Sequence, residues 1–449
     1  MTPFPISETS PIVFAGPVPT QADLVVVGGG VVGTTTALYA ARAGLRVVLC
    51  EKGRIAGEQS SRNWGWIRRQ GRDPHELPIM IEADRLWREL DRETNVDIGL
   101  REQGVTYLTR SAREFEHFED WMDVARSHAL ETQLFDSPAL DRRFPEFAGQ
   151  GYVGAMYTAR DMRAEPWIAV PALAEIALRE GAAIAENCAV RALDMVGGKV
   201  AGVITESGRI SAPRVVLAGG AWSSLFLRAH GVSIPQLSVR ASVVQTDPVE
   251  LPHAGGAVDE KVAFRTRADG GLSIAAPGFH ELFIGPDAFR NLKAYLPQLR
   301  ADPFGTRFLP AAPRGFPDSW STARHWSPDS VSPFESQRVL NPSPNMTQLR
   351  RTIGRIEKMF PKVGSIRPRS AWAGMIDTMP DVVPVVDHVS ALPGLIVGCG
   401  MSGHGFGIGP AMGRILADLS RDQDPGHDLS RFRLSRFSDG STVAIGPSV

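Results

Sequence analysis

Cysteine is scarce in this sequence, and neither sign of charge is in excess. Only three cysteines occur among 449 residues, Cys50, Cys188 and Cys399, and they stand too far apart for a disulfide framework or a metal motif. The formal net charge of -1 provides no long-range attraction to nucleic acid or to an anionic membrane. These absences argue against a disulfide-stapled or nucleic-acid-binding protein and favour a small-molecule ligand.

Long apolar runs are absent as well. The proline-rich first twenty residues contain no run long enough for a signal peptide or a transmembrane helix. We therefore expect a disordered lead-in over residues 1–21 and a cytoplasmic protein without a transmembrane segment, and peripheral docking on the inner membrane stays open. With 43% hydrophobic residues, the rest of the chain can bury large cores and is expected to form two interleaved domains.

The first ordered segment has the pattern of a βαβ unit. A short apolar strand over 24–27 precedes a Gly-rich turn, a helix over 31–43 and a second strand over 45–50. Within the turn, Gly28 permits the tight bend, Gly30 lets the backbone reach a pyrophosphate, and Gly33 lets helix and strand touch. The pattern predicts a dinucleotide held at the N-terminus of the helix.

Glu51 follows the second strand, where its carboxylate can accept hydrogen bonds from ribose hydroxyls and disfavours the 2′-phosphate of NADP. The turn does not separate NAD from FAD, because both carry ADP. Only the longer FAD needs the further close-approach segments at 60–66, 215–222 and 398–409, so we predict FAD. The residues expected to contact it are Gly28, Gly30, Val31, Val32, Gly33, Glu51, Lys52, Ser60, Ser61, Asn63, Trp64, Gly65, Trp66, Val190, Gly219, Gly220, Trp222, Gly374, Gly403, His404, Gly405, Phe406 and Gly407.

The Gly-rich segment 400–407 opens the last predicted helix. A Gly-rich turn that leads into a helix N-terminus stabilises an anion, and reduced flavin gathers negative charge at its N1 and C2 carbonyl edge. His404 is expected to add a hydrogen-bond donor there. Between this segment and the βαβ unit, apolar spacing and start and stop signals predict helices over 76–98, 112–127, 166–180 and 346–359, a strand-rich stretch over 239–274 and an insertion over 278–340.

Several of these motifs together resemble one family. The GGGVVG turn with Glu51, the AGGAW turn, the Trp372 to Asp381 segment and SGHGF are similar to those of the D-amino-acid oxidase-like (glutathione reductase type 2) flavoproteins. Within that family, EQSSRNWGWIRRQGRD resembles the bacterial L-amino-acid deaminase and amino-acid dehydrogenase branch. The resemblance extends from Asp23 to about Leu419.

The resemblance implies an α/β fold, α+β overall, in which a Rossmann-like FAD-binding domain is interleaved with a mostly antiparallel substrate-binding domain. Some members attach the flavin through a cysteine shortly before the Pro-Asp step, but residues 374–377 contain none, so we predict non-covalent FAD. The expected boundaries are 22–80, 150–235 and 365–449 for the FAD-binding domain, and 81–149 and 236–364 for the substrate domain.

The chemistry that the resemblance implies is hydride removal from the α-carbon of an amine to flavin N5, after which water hydrolyses the imine to a keto acid and ammonia. This step needs positioning more than an acid or base. A substrate carboxylate needs a cation; the resemblance implies Arg265 as its anchor, and Gln70 in the 68–72 run is a second candidate. The residues expected to line a pocket for a bulky or apolar side chain are Phe264, Trp372 and Met401.

Lysine is the other scarce residue, with six among 48 basic residues. None clearly stands where some oxidases activate oxygen, which favours a dehydrogenase or deaminase over an oxidase. The electron acceptor stays open between oxygen and a respiratory carrier, and the enantiomer and oligomeric state are not readable. Two alternatives remain: oxidation of a secondary amine, such as an N-methyl or N-carboxyalkyl amino acid, and a flavin-carrying subunit of a larger dehydrogenase complex.

Overall fold

The computed structural model describes residues 4–302, 305–441 and 444–446. Its strands are β1 (Leu24–Val27), β2 (Val47–Cys50), β3 (Trp66–Ile67), β4 (Arg101–Glu102), β5 (Val105–Thr109), β6 (Gln133–Asp136), β7 (Gly154–Thr158), β8 (Met162–Arg163), β9 (Ala183–Ala185), β10 (Val190–Val196), β11 (Lys199–Thr205), β12 (Gly208–Ser211), β13 (Arg214–Leu217), β14 (Leu237–Thr246), β15 (Gly256–Val258), β16 (Ala263–Thr266), β17 (Leu272–Ala275), β18 (His280–Phe283), β19 (Thr306–Leu309), β20 (Pro368–Thr378), β21 (Val385–His388) and β22 (Leu395–Cys399). Its α-helices are α1 (Val31–Arg42), α2 (Gln59–Arg62), α3 (Leu77–Glu93), α4 (Ala112–Ser127), α5 (Ser137–Arg143), α6 (Pro166–Arg179), α7 (Ser223–Ala229), α8 (Pro286–Arg290), α9 (Leu292–Ala301), α10 (Pro333–Ser336), α11 (Met346–Met359) and α12 (Gly405–Leu419).

A six-stranded sheet in the order β21-β22-β13-β1-β2-β9 carries the predicted βαβ unit. Its strands pair in parallel except for β21 with β22. Because side chains alternate along a strand, Leu24 and Val26 of β1 face the core formed with α1, α3, α6 and α12, whereas Val25 faces the core over β10–β12. This buried, doubly covered parallel sheet confirms the Rossmann-like prediction.

Helix α12 packs closely on α1, because glycines of α12 meet side chains of α1. A Cβ atom added at Gly413 would lie 2.1 Å from Thr35 Oγ1, and one added at Gly409 would lie 2.6 Å from Val31 Cγ2. Thr35 Oγ1 also donates to Gly409 O at 3.0 Å. The last helix is thus fixed against the first, and both N-termini lie at the same edge of the six-stranded sheet.

A ten-stranded sheet forms the second large unit, with the path β19-β18-β14-β17-β16-β15-β5-β7-β6 and with β20 paired to β14. Most of its pairs are antiparallel, as predicted; β15 with β5 and β18 with β19 are parallel. Strands β18 and β19 come from the predicted insertion. Strands β7 and β20 pair into this sheet, whereas the predicted boundaries assign their residues to the FAD-binding domain; those boundaries stay a prediction.

Residues 4–21 of the expected disordered lead-in pack against the fold, whereas residues 1–3 of that prediction lie outside the described residues. Ile6 and Phe14 are buried in the core beside α1, and Ala15 forms an antiparallel bridge with Ala185. Proline removes backbone donors, but the segment runs along the edge of the six-stranded sheet, where apolar side chains gain burial. Within the described ranges, no helix has the length and apolar character to cross a membrane.

Candidate functional site

A cavity of about 1060 Å³ lies between the two large sheets. The carboxyl ends of the parallel strands β1, β2, β13 and β22 meet at one wall, where Gly28, Glu51, Ala218 and Cys399 lie on the lining. Ligands of open α/β sheets bind outside these strand ends. The opposite wall comes from the ten-stranded sheet and from α4, so the cavity extends from the dinucleotide position into the predicted substrate domain.

The Gly-rich turn has the geometry that a dinucleotide requires. Gly28 has a φ of +108°, and a Cβ atom there would lie 2.4 Å from Ala218 O. A Cβ atom at Gly33 would lie 1.9 Å from Gly28 O, so Gly33 allows the close contact between helix and strand and does not itself reach the cavity. Ser60 Oγ accepts from Val31 N at 2.8 Å, which marks the polar N-terminus of α1 as the phosphate position.

Glu51 organises the next part of this site. Its carboxylate accepts from Gly29 N and Gly53 N, each at 2.7 Å. Burial raises the pKa of Glu51 to about 7, although Lys52 and the two backbone donors lower it. Ribose hydroxyls that donate to the remaining lone pairs would stabilise the ionised form, as the sequence predicts for FAD.

The remaining predicted FAD contacts converge on the same cavity from segments far apart in the chain. Gly65, with a φ of +83°, accommodates no side chain, because a Cβ atom would lie 2.3 Å from Ala164 O. Ser61 is buried off the cavity, and Asn63 Oδ1 accepts from Gly65 N at 2.8 Å. The predicted residues on the lining are Gly28, Gly30, Val31, Val32, Glu51, Lys52, Ser60, Asn63, Trp64, Gly65, Trp66, Val190, Gly219, Gly220, Trp222, Gly374, Gly403, His404, Gly405, Phe406 and Gly407. The Gly-rich turns, the N-terminus of α1 and the carboxylate of Glu51 are the groups that FAD binding requires, so the lining fits FAD.

Glu58 is a functional candidate that sequence reasoning missed. Its Oε1 accepts from Lys52 Nζ at 2.7 Å and from Trp222 Nε1 at 3.1 Å. Lys52 Nζ, which lies 4.3 Å from the Trp222 ring centroid, also donates to Gln337 O at 2.9 Å. The end of the predicted insertion is therefore tied to the dinucleotide wall, a contact that no local sequence signal indicates.

Arg265 does not occupy the position predicted for a substrate anchor. Its side chain is 1% exposed and lies off the cavity, where Nη1 and Nη2 donate to the two oxygens of Glu165 at 2.9 and 2.8 Å. Its Nε donates to Trp64 O. Burial would raise the pKa of Glu165, but Arg265 lowers it to about 2. Both Nη atoms of Arg265 thus donate to a protein carboxylate. Arg265 is therefore not available as the predicted anchor of the substrate carboxylate.

Three other predicted substrate contacts also lie away from the cavity. Gln70 is buried, accepts from Thr158 Oγ1 at 2.8 Å and donates to Met156 O at 3.3 Å. Trp372 Nε1 donates to Arg62 O at 2.9 Å, and Phe264 packs in the core under the ten-stranded sheet. Each satisfies an internal packing or hydrogen-bonding need. Met401 does line the cavity, as predicted.

Arg68 and Arg72 are two of the four buried arginines on the described cavity wall; the other two, Arg54 and Arg62, donate to internal carbonyl and amide oxygens. The Arg72 Nε atom donates to Arg68 O at 3.2 Å, and Arg68 Nη1 donates to Gln70 O at 2.5 Å. Arg72 Nη1 has no hydrogen-bond partner among the described residues, and neither side chain forms a salt bridge there, whereas Arg69 between them pairs with Asp161. Burial lowers the pKa of Arg72 to about 10, and Arg68 acts in the same direction. Glu76 opposes this lowering but forms no salt bridge with Arg72, so the desolvated guanidinium keeps unpaired donors for an anion.

Aromatic rings surround this pair. Arg68 lies 5.3 Å from the centroid of the Tyr107 ring, and Trp121 Nε1 donates to Arg72 O at 3.0 Å. The Trp64 and Trp66 rings pack edge to face, with centroids 5.2 Å apart. The lining near the free guanidinium is therefore apolar and bulky, which suits a ligand with one carboxylate and an apolar body.

His404 is buried on the cavity lining and is paired with Glu76, which the sequence reasoning did not single out. Its Nδ1 lies 3.1 Å from Glu76 Oε2. Burial lowers the pKa of His404 to about 4, Arg72 adds to this effect, and Glu76 opposes it. Burial would raise the pKa of Glu76, but His404, Arg72 and Arg68 together lower it. An ionised Glu76 would accept Nδ1–H, and in a neutral imidazole this leaves Nε2 as an acceptor rather than the expected donor.

Comparisons with known proteins agree with this geometry. Residues 23–419 match the family model DAO, FAD dependent oxidoreductase. The structure of L-amino acid deaminase from Proteus myxofaciens in complex with anthranilate is 28% identical, with a TM-score of 0.88 and coverage of 95% of this chain and 97% of that chain. N-methyl-L-tryptophan oxidase of Salmonella arizonae is 25% identical over 424 residues, 93% of this chain and 99% of the relative. Human mitochondrial sarcosine dehydrogenase is 26% identical over 241 residues, 52% of this chain and only 26% of that protein.

Proposed function

Because the chain belongs to the DAO family of FAD dependent oxidoreductases, and its relatives described above act on amino acids or amines, we propose that it oxidatively deaminates a free α-amino acid. The products are a keto acid and ammonia. The relative with a TM-score of 0.88 is an L-amino acid deaminase, and the aromatic lining favours a substrate with a bulky apolar side chain.

The observation that carries this proposal is the free guanidinium of Arg72 on the cavity wall. Glu76 acts on Arg72 without a direct salt bridge, and a buried guanidinium with unpaired donors is costly unless a ligand supplies an acceptor. Arg68 reinforces the positive charge, and the two side chains approach from one loop between β3 and α3. Such a pair binds an α-carboxylate and orients the α-carbon with respect to the cofactor.

Bound FAD supplies the hydride acceptor at flavin N5. Residues of the glycine cradle and Glu51 would hold its ADP part, and segments 62–66 and 400–407 would surround its ring system. The protein itself binds the carboxylate at Arg72, orients the substrate and excludes water with Tyr107, Trp64 and Trp66. No acid-base triad is needed for this role, since positioning dominates.

Oxidation of a secondary amine is the second candidate. The relatives N-methyl-L-tryptophan oxidase and sarcosine dehydrogenase motivate it, and the same Arg72 anchor would bind an N-methyl amino acid. The two candidates differ in product: a free amino acid releases ammonia, whereas an N-methyl substrate releases formaldehyde.

An anaerobic panel tests the proposal. The purified holoenzyme is mixed with both enantiomers of each common amino acid, with sarcosine and with N-methyltryptophan, and flavin absorbance is followed. Rapid bleaching by an apolar or aromatic amino acid, with ammonia released on turnover, is expected. Bleaching only by the N-methyl compounds would favour the second candidate, and no bleaching by any of them would favour a flavin-carrying subunit. Oxygen uptake with the best substrate then separates oxidase from dehydrogenase.

Substitution of the anchor gives a second test. Arg72→Met should raise the KM by about 100-fold, because a charge-assisted, desolvated contact is lost, while FAD occupancy is retained. Arg72→Lys keeps the charge but not the planar guanidinium, so its KM should lie between those of the unmodified protein and of Arg72→Met. An unchanged KM for both variants would remove Arg72 from the site.

A further inference from the structure

We propose that Nε2 of His404 accepts a hydrogen bond from the α-amino group of the substrate, and that Glu76 fixes the tautomer which makes this possible. The inference rests on the proposed function and deepens it, because it assigns the nitrogen-recognising group of the same site. Glu76 is a positioning residue in this assignment, since it acts through His404.

The geometry of the pair determines which nitrogen carries the proton. Glu76 is fully buried and lies directly before α3, while His404 is the residue before α12 and is 3% exposed. The 3.1 Å contact joins Glu76 Oε2 to Nδ1, and an ionised carboxylate can only accept. The proton therefore resides on Nδ1, and the lone pair resides on Nε2.

That lone pair has no internal partner. Among the described residues, Nε2 makes no hydrogen bond although it is buried, which is a costly state for a polar atom. His404 lies on the cavity lining together with Arg72, Arg68 and Met401. A ligand that provides a donor at this point would satisfy the atom.

The charges that face the imidazole explain why it stays neutral. Glu76 is its carboxylate partner, and Arg72 and Arg68 act on it from the loop before α3. The two cations and the burial oppose protonation, so the acceptor persists at neutral pH. A cation for a carboxylate and an acceptor for an N–H donor thus line the same cavity and act on each other electrostatically, and an α-amino acid presents these two groups on one carbon.

A binding experiment on the reduced holoenzyme tests this assignment without turnover. Dissociation constants are measured anaerobically by calorimetry at pH 8 for L- and D-phenylalanine and for 3-phenylpropanoate, which has the carboxylate and ring but no nitrogen. In the unmodified protein, one enantiomer of phenylalanine should bind about tenfold or more tightly than 3-phenylpropanoate. His404→Leu should abolish this difference and leave the Kd of 3-phenylpropanoate within about threefold.

The control is a histidine with matching surroundings elsewhere. His253 is also buried, its Nδ1 lies 2.8 Å from Glu146 Oε1, and its Nε2 also lacks a partner among the described residues, but it does not line the cavity. His253→Leu should preserve the advantage of phenylalanine over 3-phenylpropanoate. A loss of that advantage in both leucine variants would overturn the assignment, because the effect would then be structural.

Glu76→Gln provides the test if His404→Leu does not yield folded holoenzyme. The amide can donate to Nδ1, so the proton can move to Nε2, and the advantage of phenylalanine should fall by about threefold or more. An unchanged advantage would overturn the role of Glu76. If 3-phenylpropanoate binds and neither phenylalanine enantiomer binds more tightly, only this inference fails. If none of the three ligands binds, the proposed function fails as well.

Discussion

Replacing Arg265 by methionine removes the cation from a buried ion pair while it keeps an apolar chain of similar length. Glu165 would then stay buried with a backbone donor, Ala268 N at 2.8 Å, and with only the longer salt bridge to Arg163 Nη1 at 3.4 Å. We expect a large loss of stability and a small effect on substrate affinity. Arg72→Met should give the reverse, although both arginines are buried in the same half of the protein.

The magnitude follows from the carboxyl partner. Burial would raise the pKa of Glu165, yet Arg265, with smaller contributions from Arg267 and from Ala268 N, brings it to about 2 from an ordinary value of 4.5. At about 1.4 kcal/mol per pKa unit, the ionised form contributes about 3 kcal/mol to folding. Breaking a buried pair by removing one partner costs about 3–5 kcal/mol in other proteins, so the two figures agree.

The pH dependence has a definite sign. A carboxyl with a lowered pKa stabilises the fold above its unfolded pKa of 4.5, and the contribution is lost as the pH falls through about 2. In Arg265→Met the burial of Glu165 remains while its main cation is gone, so the pKa of Glu165 rises and the ionised carboxyl stabilises the variant less. The deficit of the variant should therefore be larger at pH 8 than at pH 5.

Urea unfolding at constant FAD, followed by tryptophan fluorescence and by far-ultraviolet circular dichroism, measures this deficit. The double variant Arg265→Met, Glu165→Leu should recover most of the loss, because the buried carboxylate is removed together with its main cation. A stability change below about 1 kcal/mol together with a KM increase as large as that of Arg72→Met would refute the reasoning and restore Arg265 as the substrate anchor.

Three further predictions concern the FAD site. The affinity of the apoprotein for FAD should increase from pH 6 to pH 8, because burial raises the pKa of Glu51 to about 7 and ribose hydroxyls bind its ionised form; in Glu51→Gln, equilibrium dialysis should show a flat profile. Gly33→Ala should abolish FAD retention on gel filtration, since its Cβ atom would lie 1.9 Å from Gly28 O; normal retention would contradict the close packing. Acid precipitation should release the flavin into the supernatant, whereas a yellow pellet would indicate a covalent bond.

Much of the FAD-binding fold was predictable because its signals are local. The order of strand, Gly-rich turn, helix, strand and acid occupies residues 24–51, and the dipeptide geometry of glycine and the periodicity of apolar residues determine it. Helix bounds such as Ala112–Ser127 and Met346–Met359 also match the predicted ones. The lead-in was not predictable in this way, because its order comes from contact with a sheet edge formed by distant residues.

The substrate-binding part of the cavity was not predictable, because its ion pairs join residues that are far apart in the sequence. Arg265, Arg68 and Arg72 have similar local contexts in the sequence, each in a short polar run. Only the folded structure shows that Glu165, a hundred positions away, forms an ion pair with Arg265. It also shows that no described carboxylate forms a salt bridge with Arg72. A sequence lists the cations but not which of them keep a counter-ion.

The sequence alone determined the nucleotide grip, the choice of FAD over NAD and the family resemblance, because each depends on residues whose spacing along the chain imposes the geometry. The tertiary structure decided which arginine lacks a salt bridge, which nitrogen of His404 faces Glu76 and which aromatic rings reach the cavity. These properties depend on burial and on partners remote in sequence, and desolvation makes such pairings the dominant energies inside a protein.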